Sequence, residues 1–288
     1  MSQRRPNIER VQVAATLRRM REQAGVTREQ AGEVLGCTHS KIGDLETGRS
    51  APKPIELERL LDHYGVASED RADLMEFAQA SRRRRPRSPY AAAAIPGTHR
   101  RAVDLEAQAV SSTYYSGEAI PGILQVRPYA EAMLRWGNTH PPEDVQRLLA
   151  LRLSRSGELT RTGRPPLRCW CILGEAALRA CVGGPQVMHE QLERLVAVNL
   201  TFENVVVQVL PLGAGAHNFL GMTATLYRFP PPAPDLLSMD NYGRNTISDR
   251  EVEVARAAHH LDLMKAHALG WDESTELIQA VMRELEAS

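Results

Sequence analysis

Thr27 to Pro54 reads TREQAGEVLGCTHSKIGDLETGRSAPKP, and the spacing of its caps and glycines decides the fold of the first part of the chain. Thr27 and Gln30 have capping-box spacing, and Ala31, Val34 and Leu35 supply the apolar side of a short helix closed by Gly36. Thr38 is placed to cap the next helix, whose inward residues are Ile42 and Leu45 and which stops at Gly48. Pro52 and Pro54 then open another, carrying Leu57, Leu60, Leu61 and Tyr64. Upstream, Val13, Leu17, Met20 and Ala24 fall on one face of a helix ended by Gly25. Downstream, a fifth helix is expected from Ser68, with Leu74 and Phe77. Five short helices, the second and third joined by a glycine turn, are what a helix-turn-helix module requires.

The run resembles the phage-repressor-like Xre family over residues 11 to 78, through Ala31, Gly36, Ile42, Leu45 and the exit Glu46-Thr47-Gly48-Arg49. The resemblance implies that the third helix enters the major groove of double-stranded DNA. A recognition helix presents its first turn and one outward stripe to base edges, which here are His39, Ser40, Gly43 and Asp44. The family's base-reading positions correspond to His39, Ser40 and Asp44, while Arg28, Thr38, Lys41 and Arg49 are placed for phosphates. Two departures matter. Gly43 costs about 1 kcal/mol of helix stability relative to alanine, and Asp44 can accept from cytosine N4 but repels a nearby phosphate. Glu46 is expected to pair within the module, with an arginine of the first helix, rather than to touch DNA.

Lys+Arg and Asp+Glu both number 35, so net charge announces no polyanionic partner, but the balance is uneven. Residues 1 to 90 hold 17 basic against 13 acidic side chains and the remainder 18 against 22, which places the positive part first. Ser81 to Gly97, SRRRRPRSPYAAAAIPG, has no amphipathic period and reads as a linker. Its arginines, Arg82 and Arg83 among them, must face water or an anion such as DNA phosphate. Four cysteines are too few for a stapled secreted scaffold, no stretch is apolar for long enough to span a membrane, and MSQRRPNIER lacks the apolar segment of a secretory signal. A reduced, cytoplasmic protein is expected.

From residue 98, helical and extended patterns mix. Leu167–Leu173, Asn204–Leu210, Thr223–Phe229 and Asp235–Met239 are β-rich runs expected to form one sheet. Helical spacing marks the stretch after Pro185, a long helix capped by Ser248 with Glu251 and ended by Gly270, and a last helix carrying Leu277, Ile278, Val281, Met282 and Leu285. The expected fold is multi-domain: an all-α five-helix helix-turn-helix domain over 1–80, a linker over 81–97, and over 98–288 an α+β domain with a small sheet flanked by helices. Glu118–Leu134, Gly174–Leu195 and Asn204–Phe229 make this part similar to a domain of unknown function that follows Xre-type modules in actinobacterial regulators.

Leu212–Gly221, LGAGAHNFLG, lacks the helix that should follow a phosphate-cradling loop, and reads instead as a connection between strands. Gly213, Gly215, His217 and Asn218 make it a candidate ligand or partner loop. Cys169 and Cys171 share a strand face with Cys181 ten residues on, a spacing that suits buried thiols better than a metal site. No nucleophile, zincin or Walker pattern appears, so neither catalysis nor a cofactor is expected. The expected function is a sequence-specific DNA-binding transcriptional regulator acting as a homodimer. The alternatives are an antitoxin-like regulator whose main partner is a small protein, and a sensor of a small-molecule effector.

Overall fold

The computed structural model describes residues 8–67, 71, 74–75, 78–79, 97–136, 141–231, 233–241 and 244–287. The chain divides into two compact units, one built on Met1–Ser88 and the other on Pro89–Phe229 and Asp235–Ser288.

The first unit contains α1 (Ile8–Gln23), α2 (Arg28–Leu35), α3 (His39–Glu46) and α4 (Pro54–His63). Four helix ends use one device. Gly25, Gly36, Gly48 and Gly65 adopt left-handed φ of 67°, 64°, 71° and 68°. At α2 the Gly36 N–H then bonds the Glu33 carbonyl and the Cys37 N–H the Gly32 carbonyl, which satisfies groups the helix leaves over. The capping box of Thr27 with Gln30 is formed in both directions. The inward residues form one cluster of Val13, Leu17, Met20, Ala31, Ile42, Leu45, Leu57, Leu60, Leu61 and Tyr64, joined by Leu74 and Ala78. Of the fifth helix expected from Ser68, the described residues Arg71, Leu74, Met75, Ala78 and Gln79 are helical. Phe77 lies outside the described residues, as do Arg82, Arg83 and most of the linker.

The second unit opens with α5 (Gly97–Gln108) and β1 (Ser111–Ser116), then α6 (Arg127–Arg135) and α7 (Pro142–Ser154) lead to β2 (Arg168–Gly174). The chain continues through α8 (Glu175–Arg179), α9 (Pro185–Thr201) and β3 (Val205–Leu210) to β4 (Thr223–Arg228), β5 (Leu236–Asn241) and β6 (Arg244–Ser248), and ends in α10 (Glu251–His267) and α11 (Trp271–Glu286). Together the strands make a six-stranded sheet of order β3-β2-β1-β4-β5-β6. β1, β2 and β3 are parallel, whereas β4, β5 and β6 continue as an antiparallel meander. The four β-rich runs are therefore in one sheet, as expected, and β1 and β6 join them.

Tyr115 pairs with Ile172 and Ala224, and this register turns Tyr115, Ile172, Ala224, Leu226 and Leu237 onto the face covered by Ala257, Leu261 and Met264 of α10. A slip by one residue would move all of these side chains to the other face. The edge strand β3 is closed by side chains. Asn199 of α9 accepts from the Val207 N–H at 2.9 Å and donates to the Val207 carbonyl at 3.1 Å, and Ser274 of α11 accepts from the Val209 N–H at 3.0 Å. This consumes backbone groups that would otherwise invite another strand.

Two boundaries differ from the sequence reading. Ser248 is the last residue of β6 and does not cap α10, whose N-cap is Arg250; its hydroxyl instead accepts from the Arg250 N–H and pairs with Glu253. Gly270 does not end α10, which stops at His267, but is the N-cap of α11. Among the described residues no helix is long and apolar enough to cross a membrane.

Candidate nucleic-acid interface and a cavity in the second unit

α3 is held from behind by a buried carboxylate. Glu46, only 3% exposed, accepts from Arg21 Nε of α1 at 2.5 Å and Arg21 Nη2 at 3.2 Å, and from Arg28 Nε of α2 at 2.8 Å. Arg21 also donates to the Val26 carbonyl at 2.8 Å. The hydrogen bond to Glu46 raises the pKa of the Arg21 guanidinium above its ordinary value. One acidic group thus ties the end of α3 to both preceding helices, and the pairing of Glu46 with an arginine of the first helix is present.

The opposite face of α3 is bare. Thr38, His39 and Ser40 are exposed, while Gly43 and Asp44 are half-exposed. Thr38 occupies the N-cap position without making a side-chain capping bond. The cations assigned to phosphates are differently engaged. Arg28 is on Glu46, and Lys41 Nζ donates to Glu56 Oε1 at 2.5 Å. Burial pushes the Glu56 carboxyl up, but Lys41 and the Lys53 N–H outweigh it and hold the group below the usual carboxylate range. Arg49, with its side chain 80% exposed, has only a loose pair with Asp44 at 3.6 Å. That pair offsets part of the repulsion Asp44 would exert on a phosphate, though an exposed pair at this distance is worth under about 1 kcal/mol.

In the second unit, a cavity of about 400 Å³ opens at the carboxyl ends of the parallel strands. Gly117 follows β1, Gly174 ends β2, and Pro211 follows β3. A Cβ on Gly174 would lie 2.5 Å from the Gly117 carbonyl oxygen, so glycine lets the two strand exits approach. His217 is on the wall: its Nδ1 accepts from the Phe219 N–H at 3.3 Å, and its Nε2 lies 3.1 Å from Tyr115 Oη. Burial lowers the His217 pKa, so the ring is neutral near pH 7 and Nε2–H donates to the tyrosine. His217 and Leu210 also border a second cavity of about 200 Å³ with Asn218, His260 and His267. Of the loop residues singled out in the sequence, Gly215, His217 and Asn218 line one cavity or the other and Gly213 lines neither.

Residues 12–74 match a helix-turn-helix domain, and residues 99–280, well over half of the chain, match a domain of unknown function, DUF5753. The chain belongs to the DUF5753 family. No curated protein and no solved structure matches it. In this DUF5753 protein, the helix-turn-helix domain makes DNA the partner of the first unit.

Two glycines of the DUF5753 chain's helix-turn-helix have opposite roles, and the sequence does not separate them. A Cβ on Gly32 would lie 2.7 Å from the Cys37 carbonyl oxygen, whereas one on Gly43 would meet only Arg28 Nη1 at 4.0 Å. Gly32→Ala is therefore expected to cost about 1–3 kcal/mol through overpacking of the turn. Gly43→Ala is expected to gain up to about 1 kcal/mol from helix propensity. Denaturant unfolding of the two variants checks both signs. Cys169 and Cys171 point to one face with their sulfurs 3.4 Å apart, and burial pushes the Cys171 thiol up and keeps it protonated. Cys181 is exposed, and among the described residues no group of three His, Cys, Asp or Glu could hold a metal.

Proposed function

We propose that the protein is a sequence-specific transcriptional regulator of the Xre type, with α3 in the major groove and the second domain serving dimerisation or the sensing of a signal or partner. The observation that carries this reading is the contrast across α3. Its inner side is fixed by Ile42, Leu45 and the Glu46 network, while Thr38, His39 and Ser40 stand free in solvent. A rigid helix with a bare polar first turn has the build of a recognition element. His39, Ser40 and Asp44 read base edges; Thr38 and Arg49 hold phosphates, joined by Arg28 and Lys41 where these share their carboxylate partners. The role is one of binding, and no reaction is assigned to it.

Arg49 gives the cleanest test, because Arg28→Ala and Lys41→Ala also strip a partner from Glu46 or Glu56. Arg49→Ala is expected to weaken binding evenly across sequences and to lower the slope of log affinity against log salt by about 1. His39→Ala should instead relax base preference, by about 1–3 kcal/mol of discrimination, and leave that slope in place. Fluorescence anisotropy over a salt series separates the two effects. An unchanged slope in Arg49→Ala would refute the phosphate contact.

A further inference from the structure

DNA binding leaves the 400 Å³ cavity without a purpose. Its position is one that open sheets use for ligands. The chain lays β2 and β3 to one side of β1 and then β4 on the other, and the cavity lies outside the carboxyl ends of β1, β2 and β3, where this order reverses.

Among the described residues the lining charges have one sign: Glu118, Glu175 and Asp240 contribute to the wall, and no lysine or arginine does. Glu175 is already engaged, accepting from the Leu212 N–H at 3.1 Å and from Arg179 Nε at 2.9 Å. Glu118 and Asp240 are different, since among the described residues neither side chain has a hydrogen bond or an ion pair. Partial burial raises the Asp240 pKa. The rest of the lining mixes the polar Tyr115, Ser116, His217 and Thr223 with an apolar side. Leu212 and Leu220 are 67% and 60% exposed, and Leu210 and Met222 lie on the wall with them. Exposed leucines beside carboxylates with no partner among the described residues match a ligand that carries both an apolar body and a positive charge.

We propose that this cavity is an effector site for an organic cation, a small molecule with an amine and an apolar body. Its ammonium group is received by Glu118 and Asp240, and its apolar part lies against Leu212, Leu220 and Met222. The effector role rests on the reading of the protein as a DNA-binding regulator; the ligand class does not.

The test uses the full chain and three probes on one skeleton: 4-phenylbutylamine, 4-phenylbutanol and 4-phenylbutanoate. Saturation-transfer NMR and calorimetry should show the amine binding, the alcohol binding about tenfold more weakly and the carboxylate not at all. Glu118→Gln with Asp240→Asn should reduce amine affinity about tenfold and leave that of the alcohol unchanged, so that the alcohol reports an intact cavity. No amine binding, equal affinity for the three probes, or amine binding indifferent to the double substitution would overturn the assignment. DNA affinity is read separately, with and without the amine. A shift supports the effector role, and amine binding with no shift overturns that role alone. A chain that binds the amine and no DNA would defeat the regulator reading while leaving the ligand class standing.

Discussion

Glu46→Ala is expected to lower the stability of the helix-turn-helix unit by about 3–5 kcal/mol, because it strands the Arg21 guanidinium in a site where that side chain is 10% exposed. The substitution removes the acceptor for three N–H donors, Arg21 Nε, Arg21 Nη2 and Arg28 Nε, and with it the link from α3 to α1 and α2. A loss of this size is a large share of the stability of a small domain. One effect opposes it. Arg28 is freed for phosphate, but a single contact changes the salt slope by only about 0.9 and cannot compensate for a recognition helix that is no longer held. DNA affinity should therefore fall together with stability. Hydrogen exchange on the full chain should show protection lost across α1 to α4 and retained in the sheet of the second unit. Native protection in α3 would show that the carboxylate does not hold the helix.

Arg155→Ala is expected to have an effect of similar size in the other unit. Glu106 of α5 is fully buried and accepts from Arg155 Nε at 2.8 Å, Arg155 Nη2 at 2.5 Å and Tyr114 Oη at 2.6 Å. Burial and the Glu106 charge push the Tyr114 hydroxyl far up, so it stays protonated and donates. Without Arg155 the Glu106 carboxylate keeps one short hydrogen bond and no counter-charge, a cost of about 3–5 kcal/mol. The double change Glu106→Leu with Arg155→Met should recover most of that loss, since apolar groups of similar volume often replace a buried pair at little cost. Calorimetry of the single and double variants decides it. A double variant no more stable than Arg155→Ala would mean that the pair fixes geometry rather than charge.

Much of this architecture was legible in the sequence, for physical reasons that differ by element. Helices α2, α3 and α4 declare themselves because the Thr27–Gln30 capping box, the glycine stops and an apolar face agree, even though Thr38 forms no capping bond. β2, β3, β4 and β5 are apolar runs bounded by glycine or proline, whereas β1, SSTYYS, buries Ser112 and Ser116 beside its tyrosines and so hides the usual alternation. β6, RNTIS, is an edge strand with one aliphatic residue and no signal of its own. The boundary at Ser248 misled because the capping-box spacing is real, but pairing with Leu237 holds that residue in the sheet.

The interface was legible as a list of outward residues, but not in its pairing. That Glu56 engages Lys41 depends on where α4 comes to lie when it packs on α2, a placement no local pattern encodes. The loop at Leu212–Gly221 could be recognised as a connection. Its company could not: Glu118 and Asp240 are more than a hundred residues apart in sequence and meet the same cavity only through the strand order.

Sequence reading by α3 is measured by selection of randomised DNA duplexes with the full-length protein, followed by a salt series on the enriched and a scrambled duplex. A base-reading α3 should enrich a sequence whose binding exceeds that of the scrambled duplex and weakens steeply with salt, with the preference altered in His39→Ala and Ser40→Ala. No enrichment, or equal affinity for both duplexes, would contradict it.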